Sequence, residues 1–243
     1  MRIVSLVPSL THLICEVGLR DYLVGCTNFC VDPPGLYRSV ALIGGTKDPD
    51  LLQIQKLNPT HILANKEENN LQDIQFCSKI GRLFDYSPTS INEVPTMFDE
   101  LAETLELPDL FDAMKNKLTS EIASLKGRKN RGSKSFIYLV WKNPLMAAGP
   151  STYISSILEA AGFKNIIDDS SSRYPKLSIQ DIQNLKPEVV FLSSEPYPFR
   201  QRDKMDMIIH IPESTSMEFI DGKLMSWFGA RSANALSYVR TLL

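Results

Sequence analysis

The sequence predicts an α/β protein made of two similar lobes with parallel sheets, joined by one long bridging helix. Two observations carry that prediction. The stretch IQKLNPTHILANKE, residues 54–67, aligns without a gap with IQNLKPEVVFLSSE, residues 182–195. A single amphipathic helical pattern lies between the two copies.

Each copy reads as a helix end, a helix-stopping proline, a short apolar strand and a polar strand end. Ile54, Gln55, Leu57, Pro59 and Glu67 match Ile182, Gln183, Leu185, Pro187 and Glu195. Proline stops a helix because it lacks the N–H and its ring meets the preceding turn. The apolar runs that follow, around Ile62–Leu63 and Val190–Phe191, suit strands covered on both faces, as in a parallel sheet.

The segments ahead of the copies also correspond. RIVSLVPSLTHLICEVGL begins as a strand, turns at Pro8, offers Ser9 as a helix N-cap and stops at Gly18. SFIYLVWKNPLMAAGPSTYISSILEAAGF holds a strand, then Gly149 and Pro150, Ser151 as N-cap, an apolar helix, and Gly162 as its stop. Between the lobes, residues 108–127 start with Pro and end with Gly. They place Leu110, Phe111, Met114, Leu118, Ile122 and Leu125 at three-to-four spacing. About 18 helical residues span roughly 27 Å, a stiff connection. The predicted division is an N-terminal lobe over 1–107, the bridging helix over 108–127 and a C-terminal lobe over 128–243.

At 243 residues the chain is long enough for two lobes, and 43% hydrophobic with 22% charged residues describes an ordinary globular protein. Net charge is −2, and the densest basic stretch, KGRKNRGSK at 126–134, is short and broken by glycine. It reads as a solvated linker, and nucleic acid is not expected as a partner. No apolar run approaches the roughly 18–20 residues that cross a bilayer. The opening MRIVSLVPSL breaks at Pro8 and reads as a first strand, not a signal-peptide core. The chain is therefore either a trimmed extracytoplasmic form or a cytoplasmic protein. Cys15, Cys26, Cys30 and Cys77 form no CxxC pair. Cys26 and Cys30 could bridge, but small buried hydrophobes are the favoured reading.

Catalytic motifs are missing: there is no GxxxxGK[ST], GxGxxG or GxSxG. His12, His61 and His210 are scattered without metal-ligand spacing, so no metal, cofactor or catalytic residue is expected. The Gly44–Gly45 pair could bring backbone N–H groups to an anion, though a tight turn explains it equally. What remains are polar and aromatic residues in loops after strands, where α/β sheets hold their ligands. In the first lobe these are Ser9, Thr11, the 27–30 loop with Phe29, Thr46, Lys47 and the Glu67, Glu68, Asn69 run. In the second they are Trp141, Ser151, Tyr153, residues 195–197 starting with Glu195, and SWFGARS at 226–232 with Trp227 and Arg231. Aromatic walls with a few charges suit a large, flat or anionic small molecule.

Taken together, RIVSLVPSLT, FCVDPP, IGGTKDPD, LNPTHILANKEEN, AAGPSTYISSILEAAGFKNII, LSIQDIQNLKPEVVFLSSEPYPF and GKLMSWFGARS resemble the helical-backbone substrate-binding proteins of ABC importers. The likeness runs in order along nearly the whole chain and is strongest to the cobalamin-binding branch, beside the iron–siderophore and haem branches. It implies two Rossmann-like lobes with parallel sheets, one bridging helix, a ligand cleft between the lobes and no enzymatic turnover. The implied partners are a corrinoid or a metal chelate and an ABC permease, with the receptor a monomer outside the cytoplasm. The loop at Gly44–Lys47 is similar to one that carries a ligand-stacking Trp, and Thr46 stands in that place here. Trp227 with Arg231 resembles the ligand wall of the C-terminal lobe. The family docks its permease through one surface glutamate per lobe, for which Glu67 or Glu68 and Glu195 are the counterparts; they could equally face the ligand. His12 stands where relatives often carry Glu. Two alternatives remain: a cytoplasmic binding or sensing module without a permease, and an enzyme using Glu67, Glu68 and Glu195 as carboxylates.

Overall fold

The computed structural model describes residues 1–125, 133–168 and 172–242. Of the basic stretch read as a linker, residues 126–132 lie outside the described residues. The chain divides into two compact units. The first comprises Met1–Pro88, Glu93–Lys117 and Trp227–Ala230, and the second Thr89–Asn92, Leu118–Ser226 and Arg231–Leu243.

In the first unit the elements run β1 (Ile3–Ser5), α1 (Pro8–Glu16), β2 (Leu23–Cys26), β3 (Ala41–Leu42), α2 (Leu51–Lys56), β4 (His61–Ala64), α3 (Leu71–Cys77), β5 (Arg82–Asp85) and α4 (Val94–Leu105). Every strand pairing is parallel, in the order β3-β2-β1-β4-β5. Helical crossovers return the chain to the same edge each time, so every strand ends on one side. β1 is wholly buried, and Ile3, Val4, Leu6, Leu10, Ile62 and Leu63 are all fully buried core residues.

Helix α1 corrects one expectation. Val7, not Ser9, is the capping position, and Pro8 takes the first helical turn, where a missing N–H leaves nothing unpaired. Ser9 lies inside the helix, buried. The bridging pattern also starts later than Pro108: α5 spans Asp112–Leu125. Glu106 adopts a left-handed conformation that ends α4. The Leu110 N–H then donates to the Leu107 carbonyl, and Asp112 N–H to that of Asp109, closing tight turns over 107–112 instead of a helix. Residues of α5 up to Lys117 belong to the first unit and those from Leu118 to the second.

The second unit runs β6 (Ser135–Trp141), β7 (Leu145–Ala147), α6 (Tyr153–Ala160), β8 (Lys164–Asn165), β9 (Lys176–Leu177), α7 (Ile179–Leu185), β10 (Val189–Ser193), α8 (Gln201–Ile208), β11 (Ser216–Ile220), α9 (Gly222–Ser226) and α10 (Ser232–Val239). Its sheet has the order β11-β10-β6-β7-β9, with β8 beside β6. The core gathers Ile137, Leu139, Ile182, Val190, Leu192, Met207 and Met217. Here the sheet is only mostly parallel, because β7 pairs antiparallel with both β6 and β9. Residues 142–144 join β6 to β7, far too few for a crossover, so the pair is a hairpin. Thr152, not Ser151, caps α6, its hydroxyl accepting the Ser155 N–H at 3.2 Å.

The internal repeat survives in three dimensions within each unit. β1 lies beside β4 and β6 lies beside β10, both in parallel. Ile54 and Ile182 are both fully buried. Asn58 and Lys186, each just before the shared proline, both take left-handed backbone at φ 46° and 51°. α2 and α7 therefore leave for their strands through the same backbone kink.

Among the described residues no helix is long and apolar enough to cross a membrane. Gly222 carries a specific constraint: a Cβ there would lie 2.5 Å from the Glu195 nitrogen and 2.9 Å from its carbonyl oxygen. Backbone cannot yield as a flexible side chain does. Gly222→Ala is expected to destabilise the second unit by about 1–3 kcal/mol, read as a lower midpoint in urea denaturation.

Candidate functional site

In each unit the residues after the parallel strands form a hydrogen-bonded loop cluster. In the first, the loops after β1, β2, β3 and β4 meet at the carboxyl edge of the sheet, the side on which such sheets bind ligands. Asn28 N–H donates to the Gly44 carbonyl at 2.8 Å, tying the 27–30 loop to the 44–47 loop. Buried Asn69 is the hub: its side-chain N–H₂ donates to the Leu6 carbonyl at 3.1 Å and the Thr46 carbonyl at 2.9 Å. Its side-chain oxygen accepts the Asn65 N–H at 2.9 Å. The Lys47 ammonium donates to the Glu67 carbonyl at 2.9 Å.

Within this frame Phe29 is 59% exposed, a large apolar face near the exposed Val31. Thr46 is half-buried and Lys47 exposed. Ser9 is 3% exposed, and its hydroxyl has no hydrogen-bond partner among the described residues. A buried hydroxyl left without a partner is costly and is usually explained by a ligand or water. Glu68 is half-buried, and burial pushes its carboxyl up to about 7, with nearby Cys30 adding to the rise and Lys47 opposing it. Trp227 falls in the first unit, only 9% exposed, with its ring edge-on to His12 at 6.0 Å. Arg231 belongs to the second unit. Cys26 and Cys30 are both buried free thiols.

In the second unit Trp141, 40% exposed, stands edge-on to Tyr197 at 5.7 Å, and Tyr197 packs edge-on to Phe199 at 4.8 Å. Lys142 Nζ donates to Asp203 Oδ1 at 2.6 Å, and this bond holds the Asp203 carboxyl below its ordinary range. Asp203 in turn accepts the Arg200 N–H at 2.8 Å, so one buried carboxylate anchors the rim loop and the start of α8. The Ser194 hydroxyl accepts the Gly222 N–H at 2.8 Å, and Lys223 Nζ lies 3.8 Å from Glu195 Oε1. Tyr153 is buried, its hydroxyl bonded to that of Ser232 at 2.8 Å. Ser151 is exposed, and its carbonyl accepts Arg173 Nε at 3.1 Å. Because β7 is antiparallel, no parallel strand delivers Ser151 and Tyr153 to the edge that carries Trp141 and Glu195.

The paired glutamates share a local geometry. Glu67 N–H donates to the side-chain oxygen of Asn65 at 2.8 Å, and Glu195 N–H to the hydroxyl of Ser193 at 3.3 Å. Asn65 and Ser193 occupy the same position of the repeat, two residues ahead of each glutamate, and both are buried. Sequence reasoning named the glutamates and missed these turn-formers. Their signal was a short polar side chain at a strand's end, the residue type that bonds backbone two positions on. Lys142 and Asp203 were also missed, since 61 residues separate them.

The sequence pattern of the periplasmic binding protein family matches residues 3–220. The chain is 25% identical over 194 residues to a vitamin B12-binding protein of Vibrio campbellii, covering 79% of this chain and 70% of that one. Its fold is similar to that of the periplasmic vitamin B12 binding protein of Vibrio cholerae, with a TM-score of 0.81 at 18% identity, over 99% of this chain and 95% of the other. It is also similar to a periplasmic heme binding protein of Vibrio cholerae, with a TM-score of 0.80 at 20% identity, over 100% and 98%.

Two outcomes follow from the first loop cluster. Asn69→Ala removes the hub and leaves the Leu6 and Thr46 carbonyls and the Asn65 N–H short of a partner, at a cost of roughly 2–3 kcal/mol in denaturant unfolding. Glu68 holds its proton more tightly folded than unfolded. Its contribution is therefore fully present below about 4.5 and lost as pH rises through about 7. Stability should decline across that window, less steeply in Glu68→Gln, and NMR of the Glu68 carboxyl carbon should place its midpoint near 7.

Proposed function

Because this chain belongs to the periplasmic binding protein family, we propose that it is the solute receptor of an ABC importer, binding a cobalamin-like corrinoid or an iron chelate such as a siderophore or heme. The relatives named for vitamin B12 and the fold neighbours named for B12 and heme support this ligand class. The observation that carries it is the pair of carboxyl-edge loop clusters, each presenting an exposed aromatic, Phe29 in one unit and Trp141 in the other. A planar macrocycle or chelate gains most of its affinity from such faces and its orientation from a few fixed polar groups. Ser9 supplies a buried hydroxyl with no hydrogen-bond partner among the described residues, and Lys47 and Arg231 are the positive charges proposed for an anionic ligand. Half-buried Thr46 completes the proposed contact set, while Tyr153 and Trp227 are buried and Ser151 lies away from the edge that carries Trp141.

In this reading the receptor acts outside the cytoplasm as a monomer, without chemical turnover, and hands its ligand to a permease. Glu67 and Glu195 are the docking carboxylates, one per lobe, with Glu68 beside the first. Their matched turns support this, since the same strand-end hydrogen bond precedes an acidic side chain in each unit.

The absorption spectrum of the freshly purified protein is the first check, because corrinoids, ferric siderophores and heme are all coloured. Titration of aquocobalamin, ferric siderophores and heme should quench tryptophan fluorescence for one class, and Phe29→Ala should weaken that binding roughly tenfold. No response to any of the three would remove the proposal. Glu67→Gln and Glu195→Gln should leave ligand affinity intact while uptake through the permease falls; loss of affinity instead would make them ligand contacts.

A further inference from the structure

The Cys26–Cys30 pair is a buried nucleophile cluster that the binding role leaves unused. Cys26 ends β2 and is fully buried; Cys30 is 5% exposed. Between them the chain turns back, with Cys30 N–H donating to the Thr27 carbonyl at 3.0 Å. The turn returns Cys30 toward Cys26, and the two thiols interact. Two hydroxyls flank the Cys30 sulfur, Thr11 Oγ1 at 3.0 Å and Thr27 Oγ1 at 3.2 Å.

Thr11 has a single hydroxyl proton, directed at the Val7 carbonyl at 3.0 Å. That carbonyl also accepts the Thr11 N–H at 3.0 Å and the Ser5 hydroxyl at 3.1 Å. Turning the Thr11 proton to the sulfur therefore leaves Val7 with donors. Two hydroxyl donors can then converge on a Cys30 thiolate, with the Cys26 thiol as its neighbour across the turn. The interaction with Cys26 is the largest influence lowering the Cys30 thiol, aided by Thr11 and Thr27 and opposed by burial. The same interaction raises the Cys26 thiol. The titratable groups that interact with this pair are Cys15, beside Arg20 and Glu16, and Glu68, beside Lys47.

We propose that Cys30 is a peroxide-oxidisable thiol and that Cys26 resolves it into a Cys26–Cys30 disulfide, locking the loop that carries Phe29. Cys30 sulfur attacks one oxygen of hydrogen peroxide, an S–O bond forms, the O–O bond breaks, and the departing hydroxide takes a proton to become water. Cys26 sulfur then attacks the sulfenic sulfur. An S–S bond forms, the S–O bond breaks, and hydroxide leaves with the Cys26 proton as a second water. Two thiols lose two electrons and one peroxide gains them.

Any effect on ligand affinity rests on the binding reading above; the disulfide itself does not. The test treats the reduced full chain with hydrogen peroxide, blocks remaining thiols under denaturing conditions with N-ethylmaleimide, and maps peptides by mass spectrometry. The expected result is a loss of two hydrogens in an intramolecular Cys26–Cys30 crosslink, with Cys15 and Cys77 alkylated. In Cys26→Ser the Cys30 sulfenic acid should persist and take up dimedone. In Cys30→Ser oxidation of Cys26 should slow by roughly tenfold or more. Oxidation at Cys15 with Cys26 and Cys30 still alkylatable, or bridges between chains, would overturn the proposal in the unsubstituted protein without recourse to variants. Equal Cys26 oxidation with and without Cys30 would overturn the assigned roles. If instead the crosslink forms but neither redox form binds corrinoid, siderophore or heme, the binding reading fails and this one stands.

Discussion

Both loop clusters are organised by the same hydrogen bond: a buried side-chain oxygen at the end of a parallel strand accepts the N–H of a glutamate two residues on. Asn65 makes it to Glu67 and Ser193 makes it to Glu195. A strand that ends in the interior must hand its backbone groups to new partners as it leaves the ladder, because an unpaired buried amide is costly. A short polar side chain at that point does so locally, and it turns the chain outward. The neighbouring contacts then follow from where the turn delivers the backbone. In one unit Lys47 reaches the Glu67 carbonyl, and in the other Gly222 is pressed against the Glu195 backbone.

Parallel pairing supplies the second constraint. A sheet whose crossovers all return to one edge collects its strand ends there, so residues far apart in sequence become neighbours. Asn69 joins Leu6 and Thr46 in this way, across 63 and 23 residues. In the second unit the hairpin between β6 and β7 breaks the pattern on one side of the sheet, and the edge is built mainly from the ends of β6, β10 and β11. The two clusters thus share a central turn and differ at their flanks, Phe29 with Ser9 and Glu68 in one, Trp141 with Tyr197 and Lys142 in the other.

Much of this was legible in the residues. The gapless repeat predicted two similar lobes, and the likeness extends to the left-handed residue before each shared proline. Helix caps were less legible. Ser9 and Ser151 carry the right side chain for capping, but Val7 and Thr152 hold those positions, because capping depends on where the backbone first becomes extended. The start of α5 was misplaced by four residues for a similar reason: apolar spacing continues through Leu110 and Phe111, while the left-handed Glu106 commits the backbone to tight turns first. Trp227, which resembles part of a ligand wall in sequence, is 9% exposed beside His12, since composition does not tell which face of an aromatic is covered.

The prominence of Glu67 and Glu195 was a property of the sequence alone, visible as carboxylates at matching points of a repeat. What they experience was not. Glu67 and Glu195 rest on side-chain oxygens that only the folded strand ends bring into place. Glu68, one residue away, is half-buried with its carboxyl pushed up to about 7. Local order and periodicity are written in adjacent residues, so the alternation of strands and helices and the repeat could be read directly. Burial, the convergence of Thr11 and Thr27 on the Cys30 sulfur, and the bond from Lys142 to Asp203 depend on distances set by the whole sheet, and only the tertiary structure decides them.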